Sequence, residues 1–210
     1  MECEHLGIVL AGGAGARLGL GMPKALVRLG GETLLQRAAR TLGAVCDHVV
    51  ITGPKALDFP LPDLGSATAV MRAFDPQGSA GPGAGVMAGL MDQGFQDALV
   101  LAVDFPFMTT GALREIREWL GSYEAAVPAP RGITQPLAAA YASEIRTRLF
   151  LILQRQEPSL TRALGRFNVR HLDDATLAQM PGGLDNFFNL NTRADLTEAE
   201  RRIAAGESVE

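Results

Sequence analysis

Leu6-Gly7-Ile8-Val9-Leu10-Ala11-Gly12-Gly13-Ala14-Gly15-Ala16-Arg17-Leu18-Gly19 is the stretch on which the reading of the fold depends. Residues 6–11 are uniformly apolar, with no alternating polar positions, which suits a strand buried on both faces of a sheet. The run then breaks into Gly12, Gly13, Gly15 and Gly19 among small neighbours. Glycine allows a tight turn and lets backbone amides approach phosphate oxygens without side-chain obstruction. A buried strand leading into such a turn reads as a phosphate cradle. Taken alone it also fits an ordinary flexible turn, so the rest of the chain must decide.

Working outward, the same apolar, β-compatible character recurs at 48–52, 69–74, 98–103, 125–128 and 137–142. Helical spacing lies between these runs: Leu34, Leu35, Ala38, Ala39 and Leu42 share one face, as do Leu113, Ile116 and Leu120. Thr33 with Gln36, and Thr192 with Asp195, have capping-box spacing and predict helix starts near 34 and 193. Alternating strands and helices predict an α/β fold, a three-layer αβα sandwich with a mostly parallel central sheet. Such sheets bind ligands beyond the carboxyl ends of their strands. The glycine turn after Ala11, a Gly81 to Gly85 loop and Asp104 should therefore face one crevice. We expect a single domain over 1–210 with an ordered core of about 6–203, irregular loops at 54–62 and 76–82, and fraying at 204–210.

Composition narrows the function. With 47% hydrophobic and 20% charged residues, and no apolar run near the roughly 20 residues that cross a bilayer, the chain reads as globular and not membrane-spanning. Glu2 and Glu4 stand where a secretory signal carries positive charge, and two cysteines are too few for a disulfide framework, so a cytoplasmic location is expected. A formal net charge of -4 argues against nucleic acid as a partner, although backbone amides and one or two local cations suffice for a small anion. His5, His48 and His171 do not cluster, so neither a zinc site nor a Ser-His-Asp triad is indicated.

Two familiar nucleotide motifs fail letter by letter. The P-loop pattern G-x-x-x-x-G-K-[ST] fails because Lys24 is flanked by Pro23 and Ala25. The dinucleotide fingerprint G-x-G-x-x-G fails at Leu18, Lys24 and Val86 when started from Gly13, Gly19 and Gly81, which argues against an NAD-dependent oxidoreductase. What the segment resembles, from Leu10 to Gly19 followed by Met22-Pro23-Lys24-Ala25-Leu26, is L-A-G-G-x-[SA]-x-R-[ML]-G with a closely following P-K or D-K. That pattern opens NTP transferases of the molybdenum cofactor guanylyltransferase type. Gly15 stands where Ser or Ala is usual.

The resemblance implies a nucleotide-diphospho-sugar transferase fold with a Rossmann-like sheet. It implies that Leu10, Ala11, Gly12, Gly13 and Gly15 line the nucleotide site and that Arg17 and Lys24 neutralise the triphosphate. A lone lysine is ordinarily a solvated charge; one just after a phosphate-sized glycine loop reads as a phosphate ligand. The run Leu99 to Val103 ends in Asp104, with Pro106 two positions on. Nucleotidyl transfer needs a hard divalent cation, and Mg2+ takes one or two protein carboxylates. Asp104 is the candidate ligand for Mg2+, with Mn2+ as the alternative; a turn-capping aspartate is the bland reading. The context D-x-P-[FY] also resembles the family.

Residues 81–90 resemble the family's G-P-L-A-G loop and the helix after it, with Gly83 in place of Leu, so Gly81 and Gly85 are nucleotide-site candidates. Asp75 falls near where guanine-specific relatives carry an acid that accepts from guanine N1 and N2, and Thr52 ends the second strand. Gln135-Pro136 resembles the family's Q-P-L segment near the acceptor. Asn189 and Asn191 lie in Phe187 to Thr192, which resembles F-x-N-[VIL]-N-T-P with Arg193 replacing Pro. The implied activity is transfer of GMP from GTP to a small phosphorylated acceptor, by resemblance molybdopterin or its molybdenum-loaded form, with transient contact to cofactor-biosynthesis or acceptor enzymes. The resemblance associates Gly12-Gly13 with guanine and an Ala at the second position with cytosine, which implies GTP. Transfer from CTP to a sugar, alditol or cobinamide phosphate, and a non-catalytic nucleotide-binding module, are the alternatives.

Overall fold

The computed structural model describes residues 4–12, 18–55, 60–66, 68–76, 81–92, 94–155 and 159–206. Gly13, Gly15 and Arg17, and the expected fraying at 207–210, lie outside the described residues. Seven strands form the main sheet: β1 (His5–Leu10), β4 (His48–Gly53), β5 (Ala69–Phe74), β6 (Asp97–Ala102), β7 (Ala125–Pro128), β8 (Ala138–Ala142) and β9 (Val169–Leu172), in the order β5-β4-β1-β6-β8-β7-β9. All neighbours run parallel except β8, which is antiparallel to both β6 and β7. A two-stranded hairpin, β2 (Arg28–Leu29) and β3 (Glu32–Thr33), stands apart from the sheet.

The helices are α1 (Leu34–Gly43), α2 (Pro82–Asp92), α3 (Thr110–Glu118), α4 (Ile145–Arg155), α5 (Leu160–Leu164), α6 (Asp174–Leu177) and α7 (Arg193–Ala204). Two glycines on and against the central strand show how the layers form. A Cβ on Gly7 of β1 would stand 3.1 Å from Leu42 Cβ of α1, and one on Gly89 of α2 would stand 2.5 Å from Ile8 Cγ2 of β1. Adjacent residues of a strand point to opposite faces, so α1 and α2 cover opposite sides of β1. α3 packs with α1 on one side and α4 with α2 on the other, which gives the three layers.

The six apolar runs all form strands, and Leu34, Leu35, Ala38, Ala39, Leu42, Leu113, Ile116 and Leu120 are all buried. Burial on both faces holds for β1 and β6 but not for β5, which lies at the sheet edge with Phe74 exposed. Gly81 to Gly85 is not a loop throughout. Helix α2 begins at Pro82, where the fixed φ of proline suits a first turn and its missing amide costs nothing, while Gly81 turns the chain at φ +82°. Strand β9 was not expected, because Arg170 and His171 interrupt its apolar character. Both capping boxes form: the Gln36 amide donates to Thr33 Oγ1 at 3.1 Å, and the Asp195 amide donates to Thr192 Oγ1 at 3.2 Å. Among the described residues no helix is long and apolar enough to cross a membrane.

Candidate active site

The carboxyl ends of β4, β1 and β6 are tied together just where the apolar runs stop. The Ala11 amide donates to Thr52 O at 2.9 Å, and the Val103 amide donates to Leu10 O at 3.3 Å. Gly85 enters this junction from α2. A Cβ there would lie 3.0 Å from Leu10 Cδ2, 3.0 Å from Thr52 Oγ1 and 3.7 Å from Asp75 Oδ1, so the glycine lets α2 pack closely against three other expected site residues. Asp75 follows β5, and its amide donates to Gly53 O at 3.1 Å. Its Oδ1 is buried with no hydrogen-bond partner, and burial pushes the carboxyl above the usual range for aspartate. A buried, unpaired carboxylate oxygen costs free energy unless something fills its bonding capacity. An exocyclic amine and a ring N–H are the complementary donors.

The second half of the crevice forms around Lys24. It lies in a 3-10 turn, Lys24–Leu26, and is only 8% exposed. Its Nζ donates to Asn191 Oδ1 at 2.9 Å and to Asp104 Oδ2 at 3.4 Å. The two groups singled out by sequence, 80 residues apart, thus meet directly beyond the end of β6. The Leu190 amide donates to Asp104 O at 2.9 Å, stitching the segment that carries Asn189 and Asn191 to the end of β6. Asp104 Oδ1 and Asn189 Oδ1 are both buried without a hydrogen-bond partner. Hard, unsaturated oxygens of this kind are the donors Mg2+ prefers, so the residues fit such an ion. Among the described residues, no three His, Cys, Asp or Glu side chains form a metal cluster of their own.

Gln135 and Pro136 lie in the connection from β7 to β8. The Ala102 amide donates to Leu137 O at 2.8 Å, which sets this segment beside the end of β6. Pro136 is buried, and its carbonyl accepts from the fully buried Tyr141 hydroxyl at 2.6 Å. Gly81 is near the junction only through the start of α2. Of the remaining expected positions, Gly12 is exposed at the tip of β1, beyond Ala11.

A family model described as "MobA-like NTP transferase domain" matches residues 7–174. The chain belongs to the MobA-like NTP transferase family. It is a nucleotidyltransferase of that family. It is 31% identical over 202 residues to a molybdenum cofactor guanylyltransferase of Desulfosudis oleivorans, covering 95% of this chain and 96% of that one. The fold is shared with molybdopterin-guanine dinucleotide biosynthesis protein A from Archaeoglobus fulgidus, at TM-score 0.77 and 24% identity over 96% of this chain and 99% of that one. It is shared too with 2-C-methyl-D-erythritol 4-phosphate cytidylyltransferase from Thermus thermophilus, at TM-score 0.67 and 19% identity over 96% and 98% of the two chains.

Two residues in this region carried no signal of a part in the site. Asn186 is fully buried; it accepts from the Thr109 amide at 2.8 Å and donates to the carbonyls of Pro181 and Gly183 at 2.8 and 2.7 Å. It holds the loop before Phe187 against the turn that follows β6. Asp195 is legible only as half of a helix cap, yet its Oδ2 also accepts from the Asn191 amide at 2.9 Å.

Proposed function

We propose that this chain, working as a single domain, transfers GMP from GTP to the phosphate of a small acceptor, with molybdopterin or its molybdenum-loaded form as that acceptor. The observation that carries the reading is the meeting of Lys24 Nζ with Asp104 Oδ2 at 3.4 Å, at the carboxyl ends of the central strands. An acceptor phosphate oxygen attacks the α-phosphorus of GTP, a new P–O bond forms there, the bond to the β-phosphate bridging oxygen breaks, and pyrophosphate leaves. Catalysis of this kind rests on positioning and on offsetting phosphate charge.

Lys24 holds the leaving pyrophosphate, together with Arg17 and the amides of the turn after Ala11. Asp104, with Asn189 beside it, holds Mg2+ or Mn2+, which would neutralise charge on the phosphate oxygens when bound. Asp75 reads the base, because its unpaired carboxylate accepts from guanine N1–H and N2–H, donors that cytosine does not present together. Leu10, Thr52 and Gly85 enclose the nucleoside, and Gln135, Pro136, Asn189 and Asn191 border the acceptor. The guanylyltransferase from D. oleivorans supports the choice of nucleotide and acceptor. A cytoplasmic setting and transient contact with enzymes that make or receive the product accompany the reading.

The test is Mg2+-dependent pyrophosphate release with each of the four common NTPs across a panel of phosphorylated acceptors. GTP with molybdopterin should give the fastest release. Preference for CTP with a sugar, alditol or cobinamide phosphate would replace the substrate assignment, and nucleotide binding with no release under any pairing would make the chain a non-catalytic module.

A further inference from the structure

Helix α7 lies beyond the 7–174 match, yet its first turn reaches the crevice. An ordinary capping box needs the side chain at the third helical position to accept one amide, that of the N-cap residue. The box on α1 is of that kind: among backbone amides, Gln36 Oε1 takes that of Thr33, at 2.8 Å. The box on α7 reaches further back. Asp195 Oδ2 accepts from the Thr192 amide at 2.7 Å and also from the Asn191 amide at 2.9 Å. Asn191 is the residue whose side-chain oxygen receives Lys24 Nζ at 2.9 Å.

We propose that Asp195 is a positioning residue for Lys24, acting through Asn191. The carboxylate fixes the Asn191 backbone, and the fixed backbone aims Asn191 Oδ1 at a lysine that is almost wholly buried. A buried ammonium depends on the placement of its few acceptors, because water cannot replace one that drifts. The chemistry of Asp195 agrees. Burial alone would push its carboxyl up, but the amides of Asn191 and Thr192, the Thr192 hydroxyl and the Lys24 charge together hold it below the usual aspartate range. The far end of the same helix is secured independently. The Arg202 guanidinium lies 4.3 Å over the ring of Phe107 and 5.7 Å from that of Phe188, and pairs with Asp185 at 3.0 Å. Phe107 and Phe188 flank Asp104 and Asn189 in sequence, so α7 braces both segments that face Lys24.

The inference rests on the reading of Lys24 as a triphosphate ligand, and the experiment separates the two. GTP affinity is measured by titration calorimetry in the presence of Mg2+ for the parent, K24A, D195A, T192A and the double variant K24A/D195A, with circular dichroism melts to check folding. D195A should weaken GTP binding about fivefold, the scale of one lost hydrogen-bonded link. T192A removes the other half of the cap and should stay within about twofold while lowering the melting temperature. In the K24A background, D195A should add nothing, the non-additivity expected of residues acting as one unit. D195L, which fills the space without supplying an acceptor should D195A not fold, is carried through the same cycle with the same expectation. If K24A weakens binding but D195A does not, or if the two effects add in full, or if T192A weakens binding as much as D195A, the positioning role is wrong and the triphosphate reading stands. If K24A binds GTP as the parent does, the triphosphate reading fails and the positioning role falls with it.

Discussion

Asp104 and Asp75 are both carboxylates at strand ends with one buried oxygen left unpaired, and their proposed work differs through what surrounds them. Asp104 faces the Lys24 ammonium, whereas burial dominates at Asp75. Asp104→Asn removes a charge and leaves the shape, so pyrophosphate release should fall on the order of 100-fold or more in a steady-state assay, as for the loss of a group that offsets transition-state charge. Release within a few-fold of the parent would rule out its metal role. Asp75→Asn should cost on the order of 10-fold or more in GTP affinity, since it loses an acceptor that is charged. The pH dependence has a definite sign. A raised carboxyl takes up its proton at a higher pH than an ordinary aspartate, so GTP affinity should decline on acidification more steeply in the parent than in Asp75→Asn. The native state also binds this proton more readily than the unfolded chain, so ionised Asp75 detracts from stability and the substitution should raise the melting temperature at neutral pH. A melt that moves down would argue that Asp75 serves the fold. Lys24 and Asp104 were legible because each follows a local break in pattern, a glycine turn and the end of an apolar run. Asn186 was not, because its bonds to the carbonyls of Pro181 and Gly183 lie within one irregular loop that no pattern marks, and its bond to the Thr109 amide spans 77 residues.

Among the elements, the close approach of α2 to β1 is the feature most exposed to substitution. A Cβ at Gly89 would fall 2.5 to 2.9 Å from three atoms of Ile8, a fully buried side chain on the central strand. Gly89→Ala should therefore destabilise by about 1–3 kcal/mol through overpacking, despite the better helix propensity of alanine. Urea denaturation of the variant checks this, and unchanged or increased stability would show that α2 can back away from the sheet. Helix starts were legible to the residue at Thr33 and Thr192, because a cap is a local exchange of hydrogen bonds between side chains and nearby amides. The β2–β3 hairpin and β9 were not. Their residues carry arginine, glutamate and histidine with no run of apolar positions, and what makes them strands is pairing, of β2 with β3 and of β9 with β7.

At the scale of the whole molecule, the sheet interleaves distant parts of the chain: β1 sits between β4 and β6, and β8 between β6 and β7. No set of strands can leave without opening a pairing made by the others, which predicts cooperative unfolding. Trp119, the sole tryptophan, lies under Arg170 at 4.2 Å near β9, far along the sheet from the Lys24 side. Its fluorescence and the far-UV circular dichroism should trace coincident urea transitions; separated midpoints would show that the β7–β9 end folds on its own. The sequence by itself determined the α/β class, the six apolar strands, the two capped helices and the kinds of residue set around a phosphate-sized turn. All of these are matters of periodicity and of chemistry within a few positions. Only the tertiary structure decided that β8 runs against its neighbours, that Gly85 packs closely among Leu10, Thr52 and Asp75, and that Asp195 reaches Lys24 through Asn191. Those facts depend on which distant segments the sheet and α7 bring within hydrogen-bonding range, and hydrogen bonds act over about 3 Å regardless of separation along the chain.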